Sequence, residues 1–428
     1  MLVSSNESLL SNVNLLVIHP HAVVRAGSSF LQSLFDGHEN FVTLPYLSRI
    51  HSTLPVRIND VEAYLHFFLE HHPALFDTAK GYYGSYGGGF GPDFTTPIKI
   101  DGHKFINYFL ALLNETLFNA SSTRIAIDRR LFFVIMHYAY LRAWNPTVNL
   151  KAIKFIVYNP HEGLDLHALL SDFPKLKYIG MLRDPRQNWL SNAKLIENRT
   201  KISRGNFSPV WMIKSLNSYA ESIVTLAFAR RHIRTGDFKV LDLEKLHVQN
   251  RSVIQKICCW LEVEFDECLL TSTFTGRQWA GNSATLQVSS GFNPKMKVDA
   301  WKASLTKDEI RHISNYQANC LTFLGYEAPP ESASSMQTLS EANGIAFLIY
   351  IYQEFQAILV AATIFSAGES AFIKVLKAMK RVIFGFPFIF SFLSIWCKQD
   401  MVAMKLLPNP DVELINELPL KKEEMLSD

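Results

Sequence analysis

The sequence predicts an α/β fold in which a parallel sheet is flanked by helices, and three observations lead there. Short apolar runs rich in β-branched or aromatic residues recur at Asn14–Pro20 (NLLVIHP), Ala152–Tyr158 (AIKFIVY), Lys177–Leu182 (KYIGML) and Phe238–Leu241. Each is followed by a stretch with helical spacing, and strands alternating with helices give a parallel sheet covered on both faces. The composition supports a large core: of 428 residues, 48% are apolar and 19% charged, too apolar for a disordered chain.

Charge and cysteine content narrow the class further. Lys+Arg number 42 and Asp+Glu 39, for a formal net charge of +3. A dedicated nucleic-acid binder shows a larger basic excess or a concentrated stripe, so no nucleic-acid partner is expected. The five cysteines, Cys258, Cys259, Cys268, Cys320 and Cys397, are odd in number and contain no C-x-x-C pair. That argues against a disulfide scaffold or structural zinc and fits a reducing, cytoplasmic setting. The opening MLVSSNESLLSNVN lacks a basic n-region and a long apolar core, so no secretory signal is expected.

Ligands of parallel sheets sit beyond the carboxyl ends of the strands, so the residues after each apolar run carry the functional reading. After NLLVIHP comes HAVVRAGSSFLQSLFDGH (His21–His38), with a helical pattern over Ser28–Phe35. Gly27 permits a tight backbone path, and Ser28 or Ser29 can cap the helix. Arg25 adds a fixed charge and a planar donor fork for phosphate-like oxygens, so Arg25–Phe30 reads as an anion loop or as a capped helix without a ligand. The G-x-x-x-x-G-K-[ST] loop of Mg-nucleotide enzymes is absent.

Next in the chain, His66, Glu70, His71 and His72 are metal-ligand types with nothing elsewhere to complete a site, so no metal is expected. Gly81–Gly91 holds six glycines in eleven residues interleaved with Tyr82, Tyr83, Tyr86 and Phe90, a lid over an acceptor or a surface loop. Asp101 and His103 follow it, as acceptor-facing groups or a satisfied polar pair. After AIKFIVY, His161 and Glu162 stand in NPHEGLD. After KYIGML, Arg183 ends a strand, Asp184 is an N-cap candidate and Pro185 suits the first helical turn. Ser191 follows Arg183 by eight residues, where both can converge on one phosphate.

Together the segments Arg25–Gly27–Ser28–Ser29 and Arg183…Ser191 resemble the sulfotransferase family that uses 3′-phosphoadenosine 5′-phosphosulfate (PAPS). The likeness extends through Val240–Ser283 and Trp301–Tyr326, and so covers roughly Asn14 to Tyr326. It is nearer to the bacterial, carbohydrate or tyrosyl-protein types than to the cytosolic type. The resemblance implies a P-loop NTPase-like sulfotransferase fold, with PAPS as co-substrate and no metal. It places Arg25, Ala26, Gly27, Ser28, Ser29 and Phe30 at the 5′-phosphosulfate, and Arg183 and Ser191 at the 3′-phosphate. It also implies in-line transfer to a hydroxyl of a glycan, lipid or small metabolite.

The catalytic set implied by the resemblance is Arg25 at the leaving group and His161 as base, with Glu162 as its alternative. Two departures stand out: extra residues lie between Pro20 and Arg25, and Asn159 replaces a frequent Lys. Arg277, Trp279, Lys295 and Lys297 lie in the segment that wraps the nucleotide in such proteins, where Trp279 stacks on adenine or fills the core. A kinase-like phosphotransferase and a nucleotide-binding scaffold without catalysis are the rival readings.

The domain reading is a catalytic unit over 1–328, a Pro/Ser-rich linker over 329–341 and an apolar helical extension over 342–428. Ala342–Gly368 carries only Glu354 as a charge, and Val382–Cys397 carries none. Lys374, Lys377, Lys380 and Arg381 lie at helical spacing opposite Phe372, Ile373, Leu376 and Met379. This pattern suits a peripheral contact with the inner face of a membrane through 342–397. It equally suits packing on the catalytic unit or on a second copy, and a spanning hairpin is the third reading.

Overall fold

The computed structural model describes residues 13–20, 25–45, 50–80, 90–117, 126–160, 165–200, 219, 225–226, 228–279, 281, 291–293, 299–317, 321 and 326, apart from the side chains of 199, 200, 312, 315 and 316. The linker and extension read over 329–428 lie outside the described residues, as do His161, Glu162, Lys295 and Lys297.

Five strands form one parallel sheet: β1 (Asn14–Pro20), β2 (Phe41–Thr43), β3 (Phe155–Tyr158), β4 (Lys177–Leu182) and β5 (Phe238–Asp242). Their spatial order is β2-β3-β1-β4-β5. Leu16 pairs with Val157 on one side of β1, and Ile18 with Ile179 on the other. Both β3 and β5 are buried along their whole length. Burial on both faces explains why these strands read as continuous apolar runs rather than alternating ones.

Ten helices of five residues or more have described bounds: α1 (Ser28–Leu34), α2 (Val61–His71), α3 (Gly102–Thr116), α4 (Arg129–Trp144), α5 (Leu166–Asp172), α6 (Pro185–Thr200), α7 (Leu243–Val248), α8 (Asn250–Leu261), α9 (Ala300–Ser304) and α10 (Lys307–Tyr316). They flank the sheet as expected, and α1 packs on β1. Among the described residues no helix is long and apolar enough to cross a membrane.

The strand order decides where a ligand can sit. From β1 the chain leaves through α1 to β2 on one side, and from β4 it leaves through α6 to β5 on the other. Adjacent strands whose connections depart in opposite directions open a crevice beyond their carboxyl ends, the position at which such sheets bind ligands. Here that crevice lies between Pro20 and Leu182.

Three differences from the sequence reading stand out. Ala152–Tyr158 is a strand only from Phe155, because Leu150–Ala152 forms a 3-10 turn whose Lys151 N–H is capped by the Asn149 side chain. The edge strand β2 has three residues, too few to show any period. The closing helix read over Trp301–Tyr326 breaks at Leu305, and Thr306 starts α10 with a capping box in which it and Glu309 satisfy each other's backbone N–H groups.

Buried polar links hold the connections in place. Asp172 accepts both Nε (2.6 Å) and Nη2 (3.2 Å) of Arg129 and also lies 2.9 Å from His51 Nε2. Asp36 accepts from Thr273 Oγ1 and the Gly276 N–H, both at 2.8 Å, and so ties the short hairpin Thr273–Gln278 to the end of α1.

Candidate functional site

The crevice is built by two turns. After β1, Arg25 has φ 73° and Gly27 φ 83°, two left-handed residues within three positions. Glycine is favoured by this backbone conformation, and a Cβ on Gly27 would lie 2.3 Å from Leu243 Cδ1, so any side chain there would also have to displace that leucine of α7. Gly27 itself occupies the N-cap position of α1, with no side-chain cap. This corrects the expectation that Ser28 or Ser29 caps the helix: both are buried inside its first turn.

After β4, the chain turns into α6 as its sequence predicts. Asp184 Oδ1 accepts the Arg186 N–H at 2.8 Å, the N-cap bond, and Pro185 opens the helix. Ser191 lies on the side of α6 that meets the β1 turn. Trp189, two residues earlier and so about 200° around the helix, packs in a second apolar cluster with Leu190, Ala193, Trp301, Leu305 and Ile313. Arg186, ion-paired to Asp184 at 2.7 Å, stacks 3.9 Å above the Trp301 ring. A desolvated contact of this kind is worth about 2 kcal/mol. The helix that presents Ser191 is therefore braced from behind by α9 and α10.

The two turns meet. Arg183 Nη1 donates to the Arg25 carbonyl at 3.0 Å, across 158 residues of chain, and Arg25 Nε lies 3.4 Å from Ser191 Oγ. Arg25, Gly27, Arg183 and Ser191 therefore share one crevice. The Arg25 guanidinium points toward Ser191 rather than standing apart from the Arg183–Ser191 pair.

Several surrounding residues carry no signal in the sequence. Glu244, in the first turn of α7, is 2% exposed and accepts Arg183 Nε at 2.7 Å. Burial raises its carboxyl above the usual range, against the pull of the Arg183 charge and with the help of Asp242. His247, one turn further on, is pushed down to about 4 by burial and then by Arg183, so it is neutral near pH 7. It stacks on Phe30 with centroids 4.6 Å apart, and Phe292 stands edge-on to Phe30 at 5.3 Å. The Tyr219 hydroxyl donates to the Arg183 carbonyl at 2.6 Å. The apolar spacing of LEKLH places Glu244 and His247 three residues apart on one helix face, but nothing in that spacing names Arg183 as their neighbour.

The remaining candidates are placed as follows. Asn159 is buried, with Nδ2 3.3 Å from Gln32 Oε1 and 3.5 Å from Ser29 Oγ, so it links the end of β3 to α1. Trp279 is 1% exposed and packs edge-on to Phe274 within the main core, where it fills space rather than offering a face. Arg277 donates to the Pro97 carbonyl at 3.1 Å and lies over Trp144. Asp101 caps α3, accepting from the N–H groups of His103 and Lys104. His71 stacks on Phe67 and bonds to its carbonyl.

A parallel sheet of this order here carries cationic and hydroxyl groups at its switch point, the place where such sheets take ligands. The comparison with protein families makes this specific: residues 22–267, more than half of the chain, match the Sulfotransferase family. The chain belongs to the sulfotransferase family and is a transferase enzyme by that membership. The matched segment contains both turns of the crevice.

Solved structures give looser likenesses. The sulfotransferase domain of the Synechococcus PCC 7002 olefin synthase is 16% identical, with 74% of this chain and 95% of that one covered and a TM-score of 0.40. The sulfotransferase domain from the curacin biosynthetic pathway is 15% identical, covering 74% and 99% with a TM-score of 0.41. Sulfotransferase STF9 of Mycobacterium avium is 14% identical, covering 75% and 80% with a TM-score of 0.33. The family assignment rests on the family match and not on these scores. No curated protein matches the sequence.

Proposed function

We propose that the protein transfers a sulfuryl group from PAPS to a hydroxyl of a glycan, lipid or small metabolite. The observation that carries this reading is the convergence of Arg25, Arg183 and Ser191 at the switch point of the sheet. The residues present fit a donor with two anionic ends. Two guanidinium groups and a hydroxyl meet in one crevice, and Gly27 lets the backbone turn tightly beside them. PAPS supplies the activated sulfuryl group and a bisphosphate leaving group. Arg183 and Ser191 hold the 3′-phosphate; Arg25 and the Ala26–Phe30 turn meet the 5′ end and neutralise the charge that develops there.

His247, neutral near pH 7, stacks on Phe30 one helical turn beyond Glu244, the partner of Arg183. Proton removal from the acceptor is assigned to His161, with Glu162 as the alternative. No metal takes part in this scheme.

Transfer from 35S-labelled PAPS to a panel of hydroxyl acceptors tests the proposal. Wild-type protein labels an acceptor, and Arg183→Ala and Arg25→Ala each lower the rate by on the order of 10²–10³. Full activity in either variant refutes the assigned site.

A further inference from the structure

We propose that Glu244 is a positioning residue that aims Arg183 at the donor's 3′-phosphate. The inference rests on the reading above and adds a residue that neither the sequence nor that reading assigns.

An arginine is useful to an anion only when its planar fork is held edge-on to it. Arg183 sits at the end of β4 on a long side chain that is 7% exposed, and two bonds fix the plane of its guanidinium. Glu244 accepts from Nε at 2.7 Å, and the Arg25 carbonyl accepts from Nη1 at 3.0 Å. Neither bond engages Nη2, which is left for a ligand. The two partners come from two separate elements, α7 and the β1 turn, so the orientation is set by the fold itself.

Glu244 is in turn held rigidly. It lies in the first turn of α7, whose N-cap Asp242 accepts the Lys245 N–H and the Tyr326 hydroxyl. At 2% exposure it has no room to swing away. A carboxylate beside an anion site is unfavourable in Coulombic terms. Its contribution to binding is therefore the geometry it gives the guanidinium and not its charge.

This distinction sets the test. Glu244→Gln keeps an acceptor oxygen at the same reach and removes the charge. Glu244→Asp keeps the charge and withdraws the acceptor by one methylene. Calorimetric titration of wild type and both variants with adenosine 3′,5′-bisphosphate and with adenosine 5′-monophosphate reads the preference for the 3′-phosphate. Wild type prefers the bisphosphate. The Gln variant keeps that preference within about threefold, and the Asp variant loses on the order of tenfold of it, as for one charge-assisted hydrogen bond.

The proposal is overturned if the Asp variant keeps the wild-type preference, or if the Gln variant falls as far as the Asp variant. A wild type without any preference for the bisphosphate overturns the sulfotransfer reading itself. The two failures are thereby distinguished.

Discussion

At the scale of the residue, the site depends on backbone conformations that side chains resist. Arg25 at φ 73° holds a left-handed conformation that costs a non-glycine residue about 1–2 kcal/mol, and such outliers cluster where binding requires them. Here the turn points one carbonyl at Arg183 and one guanidinium at Ser191. Gly27 and Gly37 have nearly the same φ, 83° and 85°, but a Cβ on Gly37 meets nothing within 4 Å, whereas on Gly27 it strikes Leu243. Gly37→Ala therefore loses about 1 kcal/mol of stability by denaturant unfolding. Gly27→Ala loses clearly more, because a buried leucine of α7 must also move. Equal losses would show that the Leu243 contact is not confining.

At the scale of the element, the sequence is most legible where one residue type does one local job. Asp184, Pro185 and the run that follows mark the start of α6, because capping and the fixed proline φ are properties of neighbouring residues. The long apolar runs of β1, β4 and β5 appear at nearly their observed bounds, because strands buried on both faces need apolar residues throughout. The failures are of the other kind. Strand β2 exists because Phe41–Thr43 pairs with Phe155–Val157, a tertiary cause with no local trace. Glu244 meets Arg183 from 61 residues away, and its neighbours in sequence look like any helix start. Trp279 was legible as a large aromatic in the right segment, but only packing shows its ring enclosed by the core. Arg25, Gly27, Arg183 and Ser191 were legible because the family motif records a tertiary meeting that spacing alone does not.

At the scale of the whole molecule, two buried imidazoles make stability depend on pH. His137 is enclosed in α4 and pushed down to about 4 by burial, and His247 is held near the same value. The unfolded chain binds a proton on each near pH 6.5, while the folded chain resists until about 4. Each therefore leaves stability intact above pH 6.5 and removes it as the pH falls through that window. For His137 the loss approaches about 3 kcal/mol by pH 4. The raised carboxyl of Glu244 acts in the opposite sense, its contribution present at low pH and lost as pH rises through its folded value. A comparison of variants separates the two effects. The stability gap between His137→Leu and wild type shifts in favour of the variant as pH is lowered from 7 to 4.5, measured by urea unfolding at each pH. A gap independent of pH would mean that His137 titrates alike in the folded and unfolded chain.

The small net charge belongs to the same scale. Two arginines aimed into one crevice can recognise a doubly anionic nucleotide without a basic surface, so a chain at +3 is compatible with a phosphate-rich ligand. The central claim, that this crevice takes a donor bearing phosphate at both the 3′ and 5′ positions, is tested most directly by calorimetry of the wild-type protein with adenosine 3′,5′-bisphosphate and with ATP. One-site binding of the bisphosphate is expected, at least tenfold tighter than that of ATP and lost in Arg183→Ala. Tight binding of ATP with none of the bisphosphate would contradict it and return the chain to a kinase-like reading.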